Sequence, residues 1–202
     1  MESRSEMKEE TLITAQTRAV GQHDNDLAAI ERASAGDGAA FEALVRKYQG
    51  WVFTLAYRML GDRGEAEEMA QEIFLKAYQA LKRFERKAKF STWLYRIATN
   101  HCVNHLESRR RRPQGHPAPL VEQVADPTPG ADRALEQDDL RRLVKEELLR
   151  LTPEHRAILV LRDIQGLAYD EIGELLGLGP GTVRSRLHRA RMDLKERLKP
   201  YR

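Results

Sequence analysis

Residues Leu167 to Arg197, LAYDEIGELLGLGPGTVRSRLHRARMDLKER, confine this chain to a narrow set of folds. Two short stretches of helical periodicity flank a glycine-rich break, Gly177-Leu178-Gly179. In the first, Ile172, Leu175 and Leu176 share a face; in the second, Val183, Leu187, Ala190 and Leu194 do. That is the form of a helix-turn-helix, whose second helix lies in the DNA major groove. Charge divides along the same line. Gly181 to Arg202 holds eight Lys/Arg against two Asp/Glu, whereas Thr152 to Pro180 holds two basic residues against five acidic ones. A face that is only solvated mixes signs more evenly, so a one-sided basic helix after a turn points to phosphate contact.

Composition places the rest. The 202 residues allow one or two domains, and both halves are long enough to bury a core. Net charge is only +3, so the basic character is local. No apolar run approaches the roughly 18 residues that span a bilayer. The N-terminal MESRSEMKEETLITAQ has no apolar core of a secretory signal. One cysteine, Cys102, excludes an internal disulfide and suits a reducing compartment. The expectation is a cytoplasmic protein with no membrane insertion.

Proline placement divides the chain. Residues 1–112 contain none, and five of the eight fall between Pro113 and Pro129. The segment from Ser108 to Arg133 lacks helical periodicity and reads as an extended, flexible linker. Residues 1–25 are polar and expected to be poorly ordered. The domain reading is therefore a disordered extension 1–25, a helical domain 26–108, a linker 109–133 and a second helical domain 134–202. In the first domain, one helix carries Phe41, Leu44, Val45, Tyr48, Val52, Leu55 and Met59 and stops at Gly61. A second carries Met69, Ile73, Phe74, Ala77, Tyr78 and Leu81. A third carries Trp93, Leu94, Ile97, Ala98 and Leu106, with Ser91 or Thr92 as its N-cap. The second domain opens with Leu135, Leu140, Leu143, Val144 and Leu148. Thr152-Pro153 then starts a helix that buries Ala157, Ile158 and Leu161 and breaks near Gln165-Gly166. No strand-like alternation occurs, so the fold class is all-α: two small helical domains joined by a flexible linker.

Three constellations invite a chemical reading. Leu81 to Arg96 interleaves Phe84, Phe90, Trp93 and Tyr95 with Lys82, Arg83, Arg86, Lys87, Lys89 and Arg96. Aromatic faces stack unpaired bases while cations follow the backbone, the pattern of a single-strand site; the same aromatics also suit a core between helices. The acidic patch Asp62, Glu65, Glu67, Glu68 and Glu72 fits either helix N-terminal capping or a docking face for a basic protein. His101 and His105 have an i, i+4 spacing beside Cys102, but no further Cys or His pair completes a metal site. No metal, cofactor or enzymatic motif is assigned.

The segments EAEEMAQEIFLKAYQAL (65–81), FSTWLYRIATNHCVNHL (90–106) and LTPEHRAILVLRDIQGLAYDEIGELLGLGPGTVRSRLHRAR (151–191) resemble the bacterial extracytoplasmic-function (ECF, group 4) sigma factors of the sigma-70 family. The resemblance covers about residues 38–112 and 134–198. It implies a sigma-2-like bundle and a sigma-4-like helix-turn-helix, and no enzymatic activity. It implies a non-catalytic subunit that binds core RNA polymerase, recognises the −35 and −10 promoter elements and promotes DNA melting. Core polymerase would meet the chain at the β′ clamp coiled coil and the β flap, with Glu68, Gln71, Glu72 and Phe74 at the matching clamp positions. The −10 element would be read by Phe84, Lys87, Lys89, Phe90, Trp93, Arg96, Asn100 and Asn104. The −35 duplex would be read by Thr182, Arg184, Ser185, Arg186, His188 and Arg189. An anti-sigma partner is common in the family, and nucleoid association would follow polymerase binding. Glu85-Arg86-Lys87-Ala88-Lys89 departs from the small polar loop of many relatives. A stand-alone dimeric repressor is the rival reading; it leaves the Leu81–Arg96 segment and the acidic patch without a role.

Overall fold

Every regular element among the described residues is helical. The computed structural model describes residues 26–86, 88–111 and 132–201, with side chains from 139 onward in the last stretch. The helices are α1 (Leu27–Ser34), α2 (Gly38–Leu60), α3 (Arg63–Ala80), α4 (Phe90–Arg111), α5 (Asp132–Leu149), α6 (Pro153–Leu159), α7 (Tyr169–Leu176) and α8 (Pro180–Leu198). A short 3-10 turn, Leu81–Arg83, follows α3, and a π-helical turn, Val160–Ile164, extends α6. The order is that of a sigma-2-like bundle, α1–α4, followed by a sigma-4-like unit, α5–α8.

Three helices begin on side-chain caps. Asp37 accepts from the Ala40 N–H at 3.1 Å, Asp62 from Glu65 at 2.7 Å, and Thr152 from His155 at 3.3 Å. Each bond satisfies an N–H that the first helical turn leaves without a partner, and each cap contributes about 1 kcal/mol. The Ala40 bond, with Arg32 adding, holds the Asp37 carboxyl below its usual range. Pro153 occupies the first position of α6, where its missing N–H costs nothing.

The structure corrects four details of the sequence reading. Helix α1 is additional to the helices that periodicity predicts. Helix α4 starts at Phe90, and the Lys89 carbonyl accepts from the Trp93 N–H at 3.1 Å, so Ser91 and Thr92 lie inside the first turn instead of capping it. Burial of Phe90 draws that residue into the helix. Helix α4 also runs on through Arg111, into the stretch read as linker, because Arg109 grips Glu65 at 2.6–2.8 Å. The cluster of Arg109, Arg110 and Arg111 further suits the negative end of the helix dipole. Periodicity places Tyr78 on a buried face, yet it is 42% exposed and tilts against Phe41 with ring centroids 4.8 Å apart. The expected extension 1–25 and most of the linker, 112–131, lie outside the described residues.

The core forms where the helical stripes meet. Val52, Leu55, Ala56 and Met59 of α2 have no solvent exposure, nor do Ile73 of α3 and Leu94 and Ala98 of α4. In the C-terminal unit Ile158, Val160, Leu161, Ile172, Val183 and Ala190 are equally closed. Burying one such large apolar side chain stabilises by roughly 1.5–3 kcal/mol. The two sets are not separate. Helices α2 and α4 pack on α6, the π-helical turn and α7, and the buried residues join into one apolar cluster.

Candidate nucleic-acid interface

The helix-turn-helix closes as its sequence requires. Gly177 ends α7 in the left-handed region at φ +66°, which only glycine adopts without cost. The Leu178 N–H donates to the Gly173 carbonyl at 2.9 Å, folding the turn back over α7. Gly173 permits that approach, since a Cβ there would lie 2.8 Å from the Leu178 oxygen. Val183, Leu187 and Ala190 then face inward, while Leu194 is half-buried.

The opposite face of α8 is open. Thr182, Arg184, Ser185, His188 and Arg189 are exposed, and Arg186 is half-buried. Arg184, Arg186 and Arg189 have no acidic partner among the described residues. Arg191, one turn on, is committed elsewhere: its guanidinium meets Asp163 at 2.5 and 3.1 Å, which raises its pKa and ties α8 to the π-helical turn. The Ser185 hydroxyl donates to the Thr182 carbonyl at 3.1 Å. The helix thus presents guanidinium donors without acidic partners, and the Thr182 and Ser185 hydroxyls, to one side, as base-edge and phosphate contact both demand.

The second cluster is built differently. Phe84, Phe90 and Trp93 form a triangle with centroids 5.0, 5.5 and 5.9 Å apart, and Phe90 also meets Tyr48 at 5.5 Å. Phe90 is only 5% exposed and so forms the floor of the cluster; the stacking role expected of it is not available to a buried ring. Phe84 and Trp93 are half-buried and retain accessible edges. The core reading therefore applies to Phe90, while Phe84 and Trp93 keep edges open to solvent. Above the rings lies a cavity of about 570 Å³, bordered by Arg83, Arg86, Arg96 and the two half-buried rings. Arg83 and Arg86, members of the aromatic-basic run that are not among the expected −10 contacts, belong to this lining, as does Thr92, which the sequence suggests only as a helix cap. Arg86 carries φ +57°, unusual for a side-chain-bearing residue, and its guanidinium reaches Glu31 on α1 at 2.8 Å. Lys89 is exposed, and Arg96, Asn100 and Asn104 repeat at i, i+4 and i+8 on one exposed line of α4. Lys87 lies outside the described residues.

The acidic patch divides by partner. Asp62 caps α3, Glu65 holds Arg109, and Glu67 pairs with Arg63 at 3.0 Å. Glu68, Gln71 and Glu72 remain exposed on one face, with Phe74 half-buried beside them. Glu72 contacts the His101 ring at 2.6 Å. Cys102 has no exposure, and burial pushes its thiol up to about 12, far from a metal-binding thiolate.

Comparison with known proteins agrees with this layout. Residues 44–112 match the family described as Sigma-70 region 2, and residues 141–194 match Sigma-70, region 4. The RNA polymerase sigma-H factor of Pseudomonas aeruginosa is 38% identical over 184 residues, covering 88% of this chain and 95% of that protein. The ECF RNA polymerase sigma factor SigW of Bacillus subtilis is 37% identical over 183 residues, covering 84% and 95%. The ECF RNA polymerase sigma-E factor of Escherichia coli K12 is 35% identical over 182 residues, covering 87% and 95%. Among solved structures, CnrH in complex with the cytosolic domain of CnrY aligns with a TM-score of 0.62 at 28% identity, covering 88% of this chain and 99% of CnrH.

Proposed function

The chain belongs to the ECF sigma factors of the sigma-70 family, and from that premise we propose a division of labour among its three surfaces. A sigma factor is a promoter-recognising, non-enzymatic initiation factor. Helix α8 reads the −35 element as duplex through Thr182, Arg184, Ser185, Arg186, His188 and Arg189, with Arg184 or Arg189 engaging guanine bidentately. The Phe84–Trp93 rim with Lys87, Lys89, Arg96, Asn100 and Asn104 captures the −10 element as unpaired strand. Glu68, Gln71, Glu72 and Phe74 on α3 dock on the β′ clamp coiled coil of core polymerase, and the C-terminal unit on the β flap. The protein works in the cytoplasm, on the nucleoid when bound to polymerase.

The observation that carries this reading is the pairing, in one chain, of an open basic helix with a ring-floored, arginine-lined cavity. The first suits a duplex and the second an extruded base. Melting then needs no fuel from the protein, because capture of a flipped base offsets the few kcal/mol of unpairing. The domain reading, 26–108 for the −10 unit and 134–202 for the −35 unit, suits the promoter. The 20 residues between Arg111 and Asp132 reach at most roughly 70 Å, which matches the roughly 70 Å of two DNA turns. The CnrH relative is held by a protein domain, which supports an anti-sigma partner here as well.

The test is transcription by core polymerase on genomic DNA with and without the chain, read by sequencing transcript 5′ ends. Start sites sharing two upstream elements at fixed spacing support the reading; starts unchanged by the chain reject it.

A further inference from the structure

Three carboxylates of the acidic patch are committed within the bundle: Asp62 caps α3, Glu65 holds Arg109 and Glu67 pairs with Arg63. Glu68 and Glu72, one turn apart, both face solvent, but they are held differently. Glu68 has no partner among the described residues, whereas the Glu72 carboxylate meets the His101 ring of α4 at 2.6 Å. We propose that His101 is a positioning residue for polymerase docking, holding Glu72 in the orientation in which α3 presents it to a basic partner. The proposal rests on the assignment of Glu72 to the docking face.

The two side chains flank the seam between their helices. Met69 and Ile73 of α3 and Ala98 and Cys102 of α4 are buried there. Glu72 follows Met69 by one helical turn and His101 follows Ala98 by one, so each stands at the edge of its buried stripe. The His101 side chain is 18% exposed and that of Glu72 59%. The imidazole is therefore the anchored member of the pair and the carboxylate the projecting one. An ionised carboxylate only accepts, so the imidazole Nε2 carries the proton and donates to Glu72 Oε2. The second oxygen, Oε1, has no partner among the described residues and keeps its lone pairs for an incoming cation.

An exposed glutamate is a flexible side chain, and fixing one at an interface is an entropic cost of association. A hydrogen bond made before docking lowers that cost, because the free chain already holds the bound orientation. The chemistry of the anchor matters as well. A lysine or arginine at this position would cancel the charge that a basic partner reads. An imidazole donates an N–H while uncharged, so it fixes the carboxylate and leaves its charge to the partner. The pair is not part of a metal site: among the described residues no three His, Cys, Asp or Glu side chains converge. Nor does it carry the fold, since the seam is closed by apolar side chains and so exposed a pair adds little stability.

The experiment titrates the full chain, fluorescently labelled at its N-terminal amine, with core RNA polymerase. Wild type is compared with Glu72→Gln, His101→Leu, His101→Gln and the double variant of Glu72→Gln with His101→Leu, each also followed by thermal unfolding. Glutamine brings an uncharged amide N–H to about the reach of the imidazole Nε2, and leucine brings none. His101→Leu is expected to weaken core affinity roughly two- to fivefold. His101→Gln should recover most of that loss, His101→Leu should add nothing once Glu72 is glutamine, and the unfolding midpoints should stay together. His101→Ala gives the same comparison if leucine disturbs the fold. A loss with Glu72→Gln but none with His101→Leu overturns the positioning role and leaves the docking face standing. Equal losses for the leucine and glutamine variants, or an undiminished loss in the Glu72→Gln background, overturn it too. Wild-type affinity for Glu72→Gln rejects the docking face itself, and the positioning role with it.

Discussion

Helix α8 and helix α4 both carry a polar line along one face, but they offer it to solvent in different states. On α8 the line is open from Thr182 to Arg189 and its cations lack acidic partners among the described residues. On α4 the line starts beside a half-buried ring cluster that a second unit overlies. A duplex reader gains from rigidity, since base edges are already displayed in the groove. A strand reader must first receive an extruded base, and on the proposed assignment the cavity beside Phe84 and Trp93 would take it. The proposed assignment ascribes the difference between the two surfaces to their substrates.

The contrast between the helices breaks most readily at the scaffold. Leu187→Ala removes the buried side chain beneath the α8 face and is expected to cost about 2–5 kcal/mol, read as a lowered midpoint in denaturant unfolding. A loss below about 1 kcal/mol would mean that the open face is not rigidly supported. Trp93→Ala should reduce open-complex formation by about 1–3 kcal/mol, the worth of one stacking platform, while leaving −35 duplex binding intact. Permanganate reactivity at −10 thymines measures the first and mobility shift of a −35 duplex the second. Arg184→Ala has the mirror expectation: about 1–3 kcal/mol lost on the −35 duplex if its contact is bidentate, and no change in single-strand affinity. Glu72→Lys should weaken core polymerase binding by roughly 1 kcal/mol, the upper end for one exposed ion pair, without touching either DNA face. Equal core affinity by fluorescence titration would remove α3 from the docking surface.

A smaller effect sharpens the covered side. Burial raises the pKa of Tyr48, Tyr95 and Cys102, with Asp26 adding at Tyr48 and Glu171 of α7 adding at Tyr95. A raised folded-state pKa contributes stability that is complete below the unfolded value and drains as pH climbs through the folded one. For the thiol that window runs from 9.0 to about 12. Unfolding free energy should therefore fall steadily above about pH 9, and Glu171→Gln should soften the part due to Tyr95. A flat profile across that range would contradict the burial.

The helix-turn-helix is legible in the sequence because period, glycine break and charge all point the same way over thirty residues. Helix α1 is not, because its eight residues carry a short apolar pattern and are fixed by Asp26, a buried carboxylate whose partners are Lys47 at 2.5 Å and Tyr48 at 2.5 Å. Phe90 shows a different limit. An aromatic in a basic run suits both floor and rim, and only packing against Tyr48 decides between them. Contacts such as Trp51–Gln165 and Arg156–Met59 leave no periodic trace, since each joins one polar side chain to a point more than ninety residues away. Polar residues at unit boundaries read as solvated until the opposing surface is known.

The division of labour is tested most directly by initiation from two templates of one promoter, fully paired or pre-melted across the −10 element, with core polymerase and either Trp93→Ala or Arg184→Ala. Pre-melting should restore Trp93→Ala towards wild-type transcript yield and leave Arg184→Ala defective. Equal rescue of both variants, or of neither, would contradict the assignment of strand opening to α4 and duplex anchoring to α8.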